Sequence, residues 1–251
     1  MDGTLAAING IDLYHEVHGT GRPLVVLHGG VMTAESCFGA MIPRLAEAHQ
    51  VVAVDLQGHG HTADTDRPVS LAGLAADVVG LLDHLGIEET DAFGFSLGGL
   101  VSIEMAVTHP MRVGRLVVAS GHIRADGYHP EIHDPAQTSP LLPTAEDFEA
   151  MRVAYEAVAP DPQGFFPFLE KMQPVVSAFE GWSDELIAGI PGPTLLIVGD
   201  RDFVRLEHAA QMLELFPDAQ LAVLPGTTHM QVIQRADALL ALVEPFLDGR
   251  S

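Results

Sequence analysis

Positively charged residues are scarce in this chain. It contains 12 lysines and arginines against 34 aspartates and glutamates, and its formal net charge is −22 at pH 7. Lys171 is its only lysine. A surface of this charge repels phosphate backbones and anionic lipid headgroups. The composition therefore argues against nucleic acids and membranes as partners, and a small molecule is the partner that we expect.

Cysteine and long apolar runs are lacking as well. Cys37 is the only cysteine, which excludes an intrachain disulfide framework and fits a reducing compartment. The first residues include an acid, Asp2, where a signal peptide would carry basic residues. The apolar runs have the length of strands and are far too short to cross a membrane. These features predict a cytoplasmic protein, and the length of 251 residues suits one large domain with an insertion.

The most informative segment that is present is the pentapeptide Gly-Phe-Ser-Leu-Gly at residues 94–98. A short apolar run precedes it and a helical pattern follows it. A serine at the tip of such a strand-to-helix turn has a strained backbone, and its hydroxyl is exposed at the helix N-terminus. Backbone N–H groups there can stabilise negative charge on a substrate oxygen. The segment therefore predicts Ser96 as a nucleophile.

Candidate catalytic residues also follow three other predicted strands. An early buried strand leads into the His-Gly-Gly segment at residues 28–30, whose glycines allow a backbone N–H to approach a ligand. A late buried strand precedes Asp200 and Asp202, and another precedes His229. Sites in open α/β sheets form at the edge where such strands end. We therefore expect serine, acid and histidine to meet at this edge, in the chain order Ser, Asp, His.

These four motifs together resemble the α/β-hydrolase superfamily, in particular serine esterases and lactonases with a helical cap. The resemblance covers nearly the whole chain. It implies an α/β fold with a mostly parallel central sheet flanked by helices, and a small helical cap insertion. It also implies that Ser96 is the nucleophile and His229 the base that takes its proton. The superfamily pattern places the acid three residues after a glycine, which favours Asp202 over Asp200.

The resemblance further implies an oxyanion hole built from backbone N–H groups. Its donors would be the N–H of Leu97, directly after the nucleophile, and the N–H of Gly30, with Val31 as the alternative to Gly30. Some members of the superfamily carry the acid after the preceding strand. That place holds Ser120 here, and the next carboxylate is Asp126.

Short apolar runs that alternate with helical patterns predict the order of elements. The strands, of which the first two form a hairpin, are predicted at residues 5–8, 11–17, 24–27, 51–54, 92–95, 116–119, 194–198 and 221–224. The helices between and after them are predicted at residues 36–48, 71–85, 97–109, 206–216 and 236–247.

The alternation stops between residues 120 and 192. This stretch has several prolines, two helical patterns at 145–158 and 165–179, and no convincing strand. We interpret residues 121–189 as the helical cap, inserted into a core domain of residues 1–120 and 190–251.

Apolar residues in the cap and beside the motifs are the candidates for substrate binding. The set that we favour is Val31, Met32, Phe165, Phe166, Met172, Phe203 and Met230. Further candidates are Phe168, Val175, Val176, Phe179 and Val204. The alternative is that the cap residues only pack the cap onto the core, since apolar residues at helical spacing do so commonly.

We expect no metal and no cofactor. The 13 histidines do not show zinc-site spacing, and no nucleotide-binding glycine loop is present. The predicted function is hydrolysis of a small, neutral, partly apolar carboxylic ester or lactone through an acyl-enzyme. Cleavage of a carbon–carbon bond, peracid formation of the haloperoxidase type, and a ligand-binding receptor are the alternatives. If the substrate is anionic, Arg124 is the cation that we expect to bind it. The sequence does not predict the oligomeric state.

Overall fold

The computed structural model describes residues 3–134, 136 and 138–249, without the side chains of His133, Val176 and Ser177. The described residues form eight strands of a single sheet. They are β1 (Thr4–Ile8), β2 (Ile11–His18), β3 (Arg22–Leu27), β4 (His49–Asp55), β5 (Thr90–Phe95), β6 (Val113–Ala119), β7 (Thr194–Arg201) and β8 (Ala219–Thr228). All eight predicted strands lie within these bounds.

The sheet is mostly parallel, as predicted. Its strand order is β1-β2-β4-β3-β5-β6-β7-β8. Only β1 against β2 and β2 against β4 run antiparallel, and the other neighbours are parallel. The carboxyl ends of β3, β5, β6, β7 and β8 therefore meet at one edge, which is where ligand sites form in open α/β sheets.

Helices flank the sheet on both faces. They are α1 (Ala34–Phe38), α2 (Ile42–Leu45), α3 (Leu71–His84), α4 (Leu97–Thr108), α5 (Ala145–Val158), α6 (Phe165–Ser177), α7 (Asp184–Ala188), α8 (Leu206–Leu215), α9 (His229–Gln234) and α10 (Ala236–Leu247). Alternate residues of β3 show the two layers. Val25 and Leu27 pack in the cluster that contains α3 and α4, and Leu24 and Val26 pack in the cluster that contains α1 and α10. A strand buried on both faces is apolar at successive positions, as β3 is from Leu24 to Leu27.

One helix that we predicted as continuous is interrupted. The pattern at residues 36–48 forms two short helices, α1 and α2, because Gly39 caps α1 and Pro43 follows at the start of α2. Proline lacks the N–H that a continuous helix needs at this position. The short helices α7 and α9 were not predicted. Within the described chain, no helix has both the length and the apolar character needed to cross a membrane.

The segment between β6 and β7 carries α5, α6 and α7, and its described residues add no strand to the sheet. It is attached to the loops at the carboxyl edge of the sheet. Tyr128 forms an antiparallel bridge with Val204, which follows β7. The ring of Phe168 on α6 lies edge-on to His59, which follows β4, with 4.8 Å between ring centroids. The segment therefore lies next to the ends of the strands that carry the predicted site residues.

Candidate functional site

Ser96 lies at a sharp turn between β5 and α4. Its backbone has φ 51° and ψ −114°, which a residue with a side chain adopts only under strain. Both flanking glycines of the pentapeptide are required by the packing. A Cβ on Gly94 would lie 2.1 Å from the carbonyl oxygen of Gly98, and a Cβ on Gly98 would lie 1.9 Å from that of Leu27. The tight turn presents the Ser96 hydroxyl at the carboxyl edge of the sheet.

His229 is brought to Ser96 from the other end of the chain. It is the first residue of α9, directly after β8. Its Nε2 lies 2.9 Å from Ser96 Oγ, and its Nδ1 lies 2.6 Å from Asp202 Oδ1. A carboxylate can only accept, so Nδ1 carries a proton and Nε2 is free to accept the proton of the serine hydroxyl. Ser96, His229 and Asp202 thus form one hydrogen-bonded chain.

Aromatic rings fix the orientation of this imidazole. The ring of Phe203 is stacked on His229 with 3.9 Å between centroids and 6° between planes. The ring of Phe95, the residue before the serine, contacts His229 at 5.2 Å. His229 is only 3% exposed. The imidazole can therefore not rotate away from Ser96 without disrupting this packing.

Asp202, and not Asp200, is the carboxylate that contacts His229. Asp202 is 1% exposed, whereas Asp200 is exposed and accepts the backbone N–H of Thr227 at 3.0 Å. Burial alone would raise the pKa of Asp202, but the neighbouring His229 and hydrogen bonds to the carboxylate outweigh it, and its pKa lies below the ordinary value. Asp202 is therefore held as a carboxylate.

Ser120 is a partner of this carboxylate that the sequence reasoning missed. It follows β6, is fully buried, and donates its hydroxyl to Asp202 Oδ2 at 2.6 Å. The backbone N–H of Gly199 donates to the same oxygen at 3.2 Å. Ser120 has φ 55°, so its position is strained. Its place at the end of a parallel strand, at the same edge as the other site residues, is the signal that could have identified it.

The His-Gly-Gly segment lines the site on the opposite side. His28 is fully buried, and its Nε2 lies 3.0 Å from the backbone N of Leu56, which can only donate. The proton of the neutral imidazole is therefore on Nδ1, which donates to the Gly29 carbonyl at 2.8 Å. Burial lowers the pKa of His28, which keeps this tautomer neutral. The histidine fixes the turn, and Val31 within it has φ 53°, an unusual value for a β-branched residue.

Both predicted oxyanion donors lie at this site. Gly30 and Leu97 line the same cavity as Ser96, as does Val31. Leu97 is the first residue of α4, so its N–H belongs to the first helical turn, which has no acceptor within the helix. A Cβ on Gly30 would meet no atom within 4 Å, so this residue faces open space. Both residues therefore border the cavity that Ser96 also lines.

A cavity of about 1060 Å³ opens above these residues. It is mostly apolar, and its lining residues are Gly29, Gly30, Val31, Met32, Phe95, Ser96, Leu97, Leu100, Ala125, Tyr128, Ile132, Leu142, Pro143, Phe148, Met151, Leu169, Met172, Gln173, Phe179, Phe203, His229 and Met230. Among the predicted binding residues, the lining includes Val31, Met32, Met172, Phe179, Phe203 and Met230.

Several other candidates lie elsewhere, which corrects the expectation for them. Phe165 is 1% exposed and packs edge-on against Phe148 and Tyr155 in the core. Phe166 points outward and is 56% exposed. Three more are buried against the core, namely Phe168, Val175 and Val204, and the side chain of Val176 lies outside the described residues. Consecutive positions on a helix point about 100° apart, so only some apolar residues of α6 can face the cavity.

Lining residues that the sequence reasoning missed come mainly from the segment between β6 and β7. Phe148 and Met151 are one helical turn apart on α5, a spacing that could have identified them. Tyr128 lies in an irregular stretch after a short 3₁₀ turn, where periodicity gives no signal.

Fixed charges are kept away from the cavity. Within the described residues, no lysine, arginine, aspartate or glutamate lines it. Arg124 is paired with Asp184 and lines a separate, smaller cavity. Arg152 is paired with two glutamates of its own helix, and Lys171 binds Asp64 at 2.7 Å. The three cations of the segment between β6 and β7 therefore have carboxylate partners, and a bound anion would find none of them in the cavity.

Comparisons with known proteins agree with this arrangement. The model of the alpha/beta hydrolase family matches residues 24–242. A protein of Azorhizobium caulinodans named carbamate hydrolase RutD is 30% identical over 87% of this chain and 88% of its own length. The 2-hydroxymuconate semialdehyde hydrolase of Pseudomonas putida is 29% identical, over 91% and 88%. The solved structure of a meta-cleavage product hydrolase from Pseudomonas fluorescens IP01 has a TM-score of 0.82 and 27% identity, over 100% of this chain and 98% of that one.

Proposed function

The chain belongs to the α/β hydrolase family, and on this premise we propose that it is a serine hydrolase of neutral, largely apolar carboxylic esters or lactones. The observation that carries the proposal is the hydrogen-bonded chain of Ser96, His229 and Asp202 at the base of an apolar cavity without fixed charges. Because candidates for the nucleophile, the base and the acid are all present, we favour catalysis over ligand sensing.

The geometry supports acyl transfer in two steps. As Ser96 Oγ attacks the acyl carbon, His229 Nε2 takes the hydroxyl proton, and the carbonyl oxygen becomes an anion. The N–H groups of Gly30 and Leu97 stabilise that anion. His229 then gives the proton to the leaving oxygen, and the acyl group stays on Ser96. A water molecule attacks the acyl-enzyme by the same route and releases the acid. Asp202 keeps the proton on Nδ1 and stabilises the imidazolium.

We propose a neutral substrate because of the net charge of the protein and the absence of fixed charges from the described cavity lining. An anionic group would approach a protein of net charge −22 and would enter a cavity whose described lining has no cation. The muconate that names one relative's substrate is a carboxylate, so we do not transfer that substrate to this chain. The volume of about 1060 Å³ exceeds what a short acyl group needs, and we expect a bulky apolar group on the acyl or the alcohol side.

We also propose that residues 121–189 act as a cap over this site. The segment supplies about half of the cavity lining, including Tyr128, Phe148 and Met172. Because these residues lie opposite the motifs of the sheet, they would exclude water from a bound acyl group and select its shape. No metal or cofactor takes part in the proposed mechanism.

The nucleophile is tested with a fluorophosphonate and Ser96→Ala. We expect the wild type to be labelled at Ser96 and to hydrolyse aryl esters, and Ser96→Ala to lose labelling and at least about 10³-fold of the turnover. Ser102→Ala is the matched control. Ser102 lies on α4, which begins directly after Ser96, and among the described hydrogen bonds its hydroxyl donates to the Gly98 carbonyl at 2.8 Å. Labelling of the wild type at another residue would contradict the assignment.

The substrate class is tested with a panel of esters, lactones and β-diketones. The panel varies the acyl length and includes esters with a free carboxylate. We expect the highest kcat/KM for a neutral ester or lactone with a bulky apolar group. A best substrate that carries a carboxylate, together with a raised KM in Arg124→Ala, would refute the neutral cavity. Turnover of β-diketones alone would favour carbon–carbon bond cleavage, and saturable binding of esters without turnover would favour a receptor.

A further inference from the structure

Tyr128 is held beside the proposed nucleophile by the segment between β6 and β7. It is only 7% exposed, and its ring packs at a tilt against His122, with 4.0 Å between centroids, and meets Phe203 edge-on at 5.9 Å. Its backbone pairs with Val204. The next residue, His129, donates its N–H to the carbonyl of Phe203 at 2.8 Å. Tyr128 is therefore fixed to the same loop that carries the acid, and it cannot move independently of the site.

The hydroxyl of Tyr128 lies beside the proposed nucleophile. Tyr128 lines the cavity together with Ser96, and the Ser96 side chain is a polar neighbour of its hydroxyl there. Burial, and next to it the charge of Asp202, raises the pKa of this phenol. The phenol therefore keeps its proton at neutral pH. A neutral phenol can donate that proton in a hydrogen bond to an oxygen that gains negative charge.

The position of the Tyr128 hydroxyl relative to His229 indicates which substrate oxygen receives this hydrogen bond. The oxyanion faces the N–H groups of Gly30 and Leu97, whereas the leaving oxygen must face Nε2 of His229, which returns the proton to it. His229 bonds Ser96 at 2.9 Å, Tyr128 lines the cavity beside Ser96, and both rings pack against Phe203. A leaving oxygen directed at His229 therefore comes within reach of the Tyr128 hydroxyl.

We propose that Tyr128 is a catalytic residue whose hydroxyl donates a hydrogen bond to the leaving-group oxygen as the acyl bond breaks. This proposal rests on the proposed function. The bond that breaks joins the acyl carbon to the leaving oxygen, and the electron pair stays on that oxygen. His229 supplies the proton, while Tyr128 keeps its own and only stabilises the developing charge. Such a donor matters most when the leaving oxygen is strongly basic, as in alkyl esters and aliphatic lactones.

The test compares the wild type with Tyr128→Phe on acetate esters of increasing leaving-group basicity, from p-nitrophenyl through phenyl to benzyl and ethyl. The quantity measured is kcat/KM, because it reports acylation. Phenylalanine keeps the ring that packs on His122 and Phe203 and removes only the hydroxyl. We expect a loss of less than about 3-fold with p-nitrophenyl acetate and of about 10- to 100-fold with the alkyl esters. The thermal midpoint should change little.

Tyr155→Phe is the matched control. Tyr155 lies on α5, is buried next to Phe165, and is absent from the cavity lining, so its substitution should leave kcat/KM unchanged for every ester. An equal loss for all esters in Tyr128→Phe, or no loss for any, would overturn the leaving-group role. Failure of the proposed function has a different signature: the wild type would neither react with a fluorophosphonate nor hydrolyse any ester of the series.

Discussion

Substitution of Asp202 by asparagine tests the assignment of the acid most directly. Asparagine has nearly the same shape, but one of its two oxygens is replaced by a nitrogen that donates. Each carboxylate oxygen accepts a backbone N–H, Oδ2 from Gly199 at 3.2 Å and Oδ1 from Val204 at the longer distance of 3.4 Å, so the nitrogen opposes the weaker of these two donors when it replaces Oδ1. A backbone N–H can only donate, whereas an imidazole can turn its Nδ1 into an acceptor by moving the proton to Nε2. The nitrogen is therefore expected to face Nδ1 of His229 and to donate to it.

The consequence for catalysis follows from the tautomer and from charge. With Nδ1 as an acceptor, the proton lies on Nε2, which can then no longer take the proton of Ser96. The imidazolium also loses its counter-charge. At an effective dielectric constant of about 20, two unit charges about 4 Å apart attract by about 4 kcal/mol, which corresponds to about a thousandfold in rate. Together the two effects predict that Asp202→Asn loses about 10³- to 10⁴-fold in turnover.

The assay is hydrolysis of a p-nitrophenyl ester, with circular dichroism to verify that each variant is folded. Asp200→Asn is the matched control, since it makes the same chemical change two residues away on an exposed side chain. We expect it to retain activity within about threefold of the wild type, because its carboxylate has no contact with His229 among the described hydrogen bonds. Equal losses in the two variants, or the larger loss in Asp200→Asn, would refute the reasoning.

Three further predictions concern the support of the site. Ser120→Ala removes a buried hydrogen bond to a carboxylate and should lose about 1.5 to 3 kcal/mol of unfolding free energy in urea, whereas Ser120→Gly should lose less because glycine tolerates the φ of 55°. Burial lowers the pKa of His59 to about 3. As the pH falls below about 6.5, this histidine therefore takes up a proton in the unfolded chain and not in the folded one. Protonation favours the unfolded chain, so the free energy of unfolding drops by about 1.4 kcal/mol between about pH 7.5 and 5.5. His59→Phe should lose this part of the pH dependence in urea titrations, and substitution of the exposed His84 by glutamine should not. Gly98→Ala should abolish folding because its Cβ would lie 1.9 Å from a backbone oxygen of β3, and Gly30→Ala, which meets no atom, should yield a folded protein by circular dichroism.

The sequence by itself determined the sheet and the turn that carries Ser96. The inner strands, such as β3 and β4, were visible because a strand buried on both faces is a short apolar run, which neighbours along the chain alone reveal. The turn was visible because part of its steric need is local: the glycine at 94 is required by the carbonyl of Gly98, which the turn itself brings close, whereas the glycine at 98 is required by Leu27 on the neighbouring β3. The order of strands and motifs also placed Ser96, the acid and His229 at one edge, since parallel strands end on the same side.

The tertiary structure decided which side chains reach that edge and what surrounds them. Asp200 and Asp202 are two residues apart, and only the path of the chain at the end of β7 leaves Asp200 exposed on the strand and buries Asp202 against His229 in the loop that follows. Ser120 and Tyr128 are brought to the acid and to the nucleophile by pairings between segments far apart in the chain. The sequence carries no periodic signal for such contacts, because hydrogen bonds between distant loops depend on the packing of the whole sheet and its covering helices.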